Sequence, residues 1–194
     1  MKQTQLIWNI LLCMAIISHA EKKIIFTNIG CAVNSNILTK INCYLENKST
    51  INLEITSNKT DVNSLVGISE LNLFIHGRNK VMRLNGIRLD ICQMLGSNKR
   101  QNLVTFLYKG ILQTKKNLPK KCPFLRNTTY VLYDMKFDGN YLPYYLPEYN
   151  FTFEGLFHAN DIKTFEIHVA GSFCEFNNDC TGYAEPKKRV TRNN

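Results

Sequence analysis

The cysteines constrain this fold more than any other feature of the sequence. Of seven, Cys13 falls in a leader-like segment, and Cys31, Cys43, Cys92, Cys122, Cys174 and Cys180 remain. An even set in an exported chain implies a disulfide framework, with fifteen possible connectivities. Cys92–Cys122 and Cys174–Cys180 are local in sequence, which leaves Cys31–Cys43. A bridge from an N-terminal cysteine to the C-terminal pair stands as the alternative. Closing the loop of about 30 residues between Cys92 and Cys122 would contribute roughly 3–4 kcal/mol in the chain-entropy model. There is no Cys-x-x-Cys motif, and His76, His158 and His168 show no ligand spacing against the cysteines. No metal and no cofactor is therefore expected.

The export assignment rests on residues 1–20. Lys2 supplies a basic start, and Leu6 to Ile17 is apolar apart from Asn9. Ser18-His19-Ala20 then places small residues at the cleavage-determining positions. The expected mature start is Glu21, and an uncleaved anchor is the other reading. The apolar run is too short for a spanning helix, and no later stretch approaches that length. The mature chain is expected to be soluble, secreted and extracellular. Four Asn-x-Ser/Thr sequons, at Asn47, Asn58, Asn127 and Asn150, are glycosylation candidates in that compartment.

Without the leader, 174 residues remain, with 23 basic and 15 acidic side chains and a net charge of +8. That length suits one domain with a substantial core. The charge favours acidic surfaces such as anionic head groups, sulfated glycans or an acidic protein. It equally suits a solvated basic face that aids solubility. Nucleic acid is not expected outside the cell. The basic residues are scattered except for Lys187-Lys188-Arg189.

Alternation of apolar and polar residues runs through the chain, the period of half-buried strands. Lys22–Val33 reads as a strand with a kink or bulge at Gly30. Lys40–Leu45 and Ile51–Ile55 form a hairpin, with Ile51, Leu53 and Ile55 inward and Asn52 and Glu54 outward. Leu71–His76 and Val81–Leu84 form a second, and Asn85-Gly86 reads as a turn into a strand ending at Cys92. Leu103, Phe106, Leu107, Gly110 and Ile111 fall at helical spacing, so one short helix is expected there. Thr114–Lys121 reads as a basic loop. Thr129–Phe137, Phe151–Phe157 and Phe165–Val169 are further strands, with Asp138-Gly139-Asn140 a turn. Two prolines keep Tyr141–Tyr149 out of any central strand. Residues 183–194 read as a disordered basic tail. The sum is an all-β antiparallel sandwich over residues 21–182 with at most one short helix.

Catalytic signatures are missing. Ala170-Gly171-Ser172-Phe173 lacks the second glycine of a nucleophile elbow, and phosphate-binding and calcium-binding loops do not occur. His76 and His168 fall on the outward faces of their strands, and Asp90 is placed to face out or to accept hydrogen bonds from a nearby loop. The chain is expected not to be an enzyme. A hydrolase would need a Ser/His/acid cluster assembled by the fold. The Tyr141–Tyr149 stretch, with Tyr144 and Tyr145 at its centre, suits the mouth of a pocket or a protein interface. The plainer reading is a loop folded against the sandwich edge.

Several of these segments together resemble a known family. They are Phe26-Thr27-Asn28-Ile29-Gly30-Cys31 soon after a leader, and Leu89-Asp90-Ile91-Cys92 leading to Lys121-Cys122-Pro123. Leu142-Pro143, Leu146-Pro147 and Val169-Ala170-Gly171-Ser172-Phe173 follow. The chain is similar to an insect family of small secreted proteins of unknown function, abundant in flies and including the CheB-type chemosensory proteins. That family is thought to be related to the MD-2-related lipid-recognition (ML) domain proteins. The resemblance covers nearly all of the mature chain, and its most specific part is the Asp-x-Cys to Cys-Pro unit. It implies an immunoglobulin-like sandwich whose sheets splay to admit a lipid or other apolar ligand, and no catalytic residues. The ligand set would then be Leu73, Ile75, Leu89, Ile91, Phe165 and Ile167, with Tyr141, Tyr144 and Tyr145 at the mouth. A monomer carrying an apolar small molecule or lipid in chemosensory signalling is the first expectation. The rival is an extracellular module acting on a membrane receptor or channel through its surface, with no bound ligand. Alternation does not distinguish a splayed interior from a filled core.

Overall fold

The computed structural model describes residues 22–75, 81–96, 110, 114–142 and 146–175. The expected leader, the basic tail, His76, most of the Leu103–Ile111 helix, Tyr144, Tyr145 and Cys180 lie outside the described residues. Gly110, the one described residue of that helix, is helical.

The elements in order are β1 (Lys22–Val33), β2 (Leu38–Asn47), β3 (Thr50–Ser57), β4 (Leu65–Ile75) and β5 (Val81–Asp90). A short helix α1 (Ile91–Gly96) follows, then β6 (Lys115–Lys116), β7 (Thr129–Met135), a 3-10 turn (Gly139–Tyr141), β8 (Tyr149–Ala159) and β9 (Ile162–Glu175). They form two antiparallel sheets, ordered β1-β9-β8-β4-β5 and β2-β3-β7-β6. The architecture is an antiparallel β-sandwich, as the alternation predicts, and it is consistent with the immunoglobulin-like form that the resemblance implies.

Several strands change phase at a bulge, β1, β5 and β7 among them. In β1 the inward residues are Ile24 and Phe26, then Ile29, and the register with β9 shifts between Phe26 and Asn28. In β5 they are Met82 and Leu84, then Ile87 and Leu89, with the shift against Ser69/Leu71 of β4. In β7 they are Tyr130 and Leu132, then Met135, with the shift against Ile51/Leu53 of β3. One extra residue reverses the parity of everything beyond it, so a strand whose apolar pattern skips a residue must bulge to keep that pattern inside. Each bulge also bends and twists its strand, which curves the sheets around what lies between them.

These bulges correct two expectations. The irregularity in β1 sits at Thr27, and Gly30 pairs regularly with His168. Asn85-Gly86 is no turn: it is the β5 bulge, and Gly86 takes φ 69°, which glycine tolerates without strain. In β7 the bulge includes Asp134 at φ 58°. The Asp134 amide donates to Asn52 Oδ1 at 2.9 Å. Asn52 does lie on the outward face, but this contact covers it, leaving 3% of its surface exposed.

Two further boundaries differ from the sequence reading. The strand expected to reach Cys92 stops at Asp90, because the Asp90 carboxylate accepts from the Gln93 amide at 2.9 Å and caps α1. Cys92 therefore sits on a helix. Lys115–Lys116, expected in a loop, pairs with Leu132 and Tyr133 as a short edge strand.

One disulfide joins the two sheets, and another ties the short helix to the loop ahead of β7. Cys31 of β1 is bonded to Cys43 of β2, and Cys92 of α1 to Cys122 ahead of β7. Cys174 is also disulfide-bonded, its partner lying outside the described residues. Such bonds point to an oxidising compartment of the extracellular type. Among the described residues no helix is long and apolar enough to cross a membrane.

Buried residues gather in two clusters within the sandwich. Ile24, Phe26, Ile51, Leu73, Tyr149 and Phe173 form one, with Leu142 and Leu146 packed against it. Ile37, Val62, Phe124, Tyr130 and Ala159 form the other, beside the Cys92–Cys122 bridge. The second is fastened by paired backbone bonds between Val62 and Phe124 at 2.8 and 2.9 Å.

Candidate functional site

The sheets part around a cavity of about 490 Å³, which residues of both clusters help to line. Every long strand contributes to it. Leu53 and Ile55 come from β3, Leu71 and Leu73 from β4, and Met82, Leu84, Ile87 and Leu89 from β5. Phe151, Phe153 and Phe157 come from β8, and Phe165, Ile167 and Val169 from β9. Ile91, Met94 and Leu95 of α1 line one end, Leu142 and Leu146 the other. Among the described residues the wall carries no charged side chain.

Glycines decide how the large rings fit. Gly67 and Gly155 lie on adjacent strands, and a Cβ at either would come within 2.9 Å of the Phe157 ring. With no side chain at these points, Phe157 lies across the sheet and stacks on Phe165, centroids 4.5 Å apart and planes 7° from parallel. Phe26 meets Phe137 and Phe151 edge-on at 5.9 and 6.3 Å. The aromatic wall is thus held by ring–ring geometry as well as by area.

Hydroxyl groups in the wall are mostly turned back to the backbone. Ser57 Oγ donates to Leu125 O at 2.6 Å and accepts from the Thr128 amide at 3.0 Å. Tyr130 Oη accepts from the Leu125 amide at 2.6 Å. Thr164 Oγ1 donates to Ile162 O at 2.7 Å and accepts from the Ala159 amide at 3.2 Å. Tyr149 differs, because burial pushes its phenol up to about 12.

The charged groups lie outside. His168 is half exposed and sits 3.8 Å from both Glu154 and Glu166, on the outward face where the alternation places it. The Asn34 amide and the Lys163 ammonium hold Glu166 below the usual carboxylate range. On the other sheet, Tyr133 donates to Glu54, which raises its phenol to about 12. Among the described residues, no three His, Cys, Asp or Glu side chains converge as metal ligands.

Of the residues singled out from the sequence, Leu73, Leu89, Ile91, Phe165 and Ile167 line the cavity. Ile75 is half-buried at the far end of β4 and does not reach the wall. Tyr141 is 45% exposed and also lies off it. Tyr149, grouped with the contact loop, is instead a buried wall residue at the start of β8. The aromatic residues of β8 and the pair Met94 and Leu95 escaped the sequence reading. The alternation of Phe151, Phe153 and Phe157 was the signal that would have added β8 to the inward set. Of the four sequons, Asn47 and Asn127 are exposed. Asn58 is half-buried and donates to Asn36 O at 2.8 Å, and Asn150 is half-buried within β8 and accepts from Ser172 at 2.8 Å.

Fold and wall together define a disulfide-linked β-sandwich with an apolar interior cavity. A protein-family model described as a protein of unknown function (DUF1091) matches residues 69–153, from β4 into β8. The matched span contains the Asp90-Ile91-Cys92 and Lys121-Cys122-Pro123 unit. No curated protein matches the chain.

Proposed function

We propose that this chain is a secreted, non-catalytic carrier of an apolar ligand, a lipid or other long hydrophobic molecule, held between the two sheets. The observation that carries this reading is the cavity. A carbon-lined space of about 490 Å³ falls in the size range of small-molecule sites. Water gains little there, because it needs several polar partners. An alkyl chain suits it, gaining about 0.8 kcal/mol per buried methylene. Ten methylenes give about 8 kcal/mol, enough after the cost of association for useful affinity.

The export signal, the disulfides and the exposed sequons support a secreted glycoprotein. The resemblance to chemosensory proteins of insects and to the ML lipid-recognition domain supports a role in carrying or presenting a chemical signal. The test is native mass spectrometry of the secreted, glycan-trimmed protein, followed by solvent extraction. A stoichiometric apolar adduct is expected. Protein without one that also takes up no fatty acid, sterol or hydrocarbon would refute the carrier reading. The surface-acting receptor module would then take its place.

A further inference from the structure

The two edges of the sandwich differ. β1 and β2 are tied by the Cys31–Cys43 bridge and by the Phe26 amide, which donates to Lys48 O at 2.6 Å. The opposite edge strands are β5 and β6. β5 supplies Met82, Leu84, Ile87 and Leu89 to the cavity wall. Met82 is the wall residue most open to solvent, 40% exposed, while the others are buried or half-buried. The cavity therefore meets solvent at this edge. On β6, Lys116 pairs with Leu132, and residues opposed in a ladder point to the same face of the sheet. Leu132 is a wall residue, as is Leu118 two positions after Lys116. Lys116 is thus an exposed cation at the rim, on the cavity side of its sheet. β5 exposes Arg83 and Arg88 on the same edge, and its one acid, Asp90, is engaged in capping α1.

We propose that the cavity takes a long-chain carboxylate, with the hydrocarbon tail between the sheets and the carboxylate outside, at the β5–β6 edge beside Lys116. The inference rests on the carrier reading and narrows its ligand class. Among the described residues the wall carries no charged side chain, so an ionised head drawn inside would lose its water and gain no counter-charge. Ser57, Tyr130 and Thr164 already commit their hydroxyls to the backbone. At the rim the carboxylate keeps most of its hydration and meets the Lys116 ammonium, in a potential that Arg83 and Arg88 make more positive. An exposed ion pair of this kind is weak and screened by salt. The buried tail therefore supplies the affinity, and the rim charge selects among head groups.

The experiment is displacement of N-phenyl-1-naphthylamine from the purified protein by laurate, methyl laurate, dodecyltrimethylammonium and 12-hydroxylaurate. Laurate is expected to bind about threefold tighter than methyl laurate, the value of one exposed ion pair, and dodecyltrimethylammonium weaker than either. The hydroxyl of 12-hydroxylaurate would be carried into the apolar interior, so this acid should bind about tenfold weaker than laurate. In Lys116→Glu the order of laurate and dodecyltrimethylammonium should reverse, with methyl laurate unchanged and thermal unfolding showing the variant intact. Should that variant not fold, Lys116→Gln takes its place, and laurate should fall to the level of methyl laurate. Laurate binding no tighter than dodecyltrimethylammonium in the native protein, a ratio between the two that the variant leaves unchanged, or 12-hydroxylaurate binding as well as laurate would each overturn the inference and leave the carrier reading standing. If the protein takes up neither the reporter nor any competitor, the carrier reading fails and the inference fails with it.

Discussion

Replacing Leu84 with Trp tests whether the interior is a space or a core. Leu84 lies on edge strand β5, opposite Leu71, and its side chain faces the cavity. In a filled interior, extra ring atoms would force neighbours off their rotamers and cost about 1–3 kcal/mol. For a chain of this size that lowers the melting temperature by roughly 2–12 °C. Here the added atoms enter a space of about 490 Å³. Filling about 50 Å³ of it gains on the order of 1 kcal/mol at the cavity coefficient. The expected result in ligand-stripped protein is a melting temperature equal to the parent or a few degrees higher. Uptake of an apolar reporter should fall at least tenfold, because the indole takes the ligand's place. Calorimetry and reporter titration on the same preparation measure both. A drop of several degrees with unchanged uptake would show that Leu84 packs against a closed core.

The two described bridges should differ modestly in weight. Breaking Cys92–Cys122, with 30 residues between the sulfurs in sequence, should cost about 3–4 kcal/mol, and breaking Cys31–Cys43, with 12, about 3. Urea unfolding of the paired serine variants measures this, and a loss below about 1 kcal/mol in either would refute the loop-closure account. Alkali should destabilise the fold through Tyr149. Its phenol rises from about 10 in the unfolded chain to about 12 in the folded one. The protonated form is thus the one the fold favours, and its contribution is complete below pH 10. Some 2–3 kcal/mol is lost as pH rises from about 10 through about 12. Tyr149→Phe should flatten that decline and remove one late component from the phenolate absorbance; an unaltered profile would place the hydroxyl in water.

Much of the architecture is legible in the residues because it depends on local pattern. Ile51, Leu53 and Ile55 alternate with polar neighbours, and the period-two geometry of a strand puts them on one face in any fold. Cys31 and Cys43 lie in neighbouring strands, and Cys92 and Cys122 bracket one excursion, so proximity in sequence favours the pairings observed. Local pattern fails where a second segment is needed. Asp90 ends its strand by capping α1, and the Asn85-Gly86 pair, a turn in isolation, becomes a bulge because Leu71 and Ser69 across the ladder hold both flanks of β5 in register.

The cavity lies beyond that limit. Alternation tells which side chains leave the water, but not what they meet on the other side. Whether Leu73, Leu89 and Phe165 touch across the interior or stand apart depends on sheet curvature. That curvature comes from bulges in several strands, from the glycines beneath Phe157, and from the disulfides. Tyr149 makes the same point: nothing in its own segment distinguishes it from Tyr141. Burial between Ile75 and Phe173 pushes the phenol of one tyrosine up to about 12 and leaves the other at the surface, because desolvation is a property of all the neighbours together.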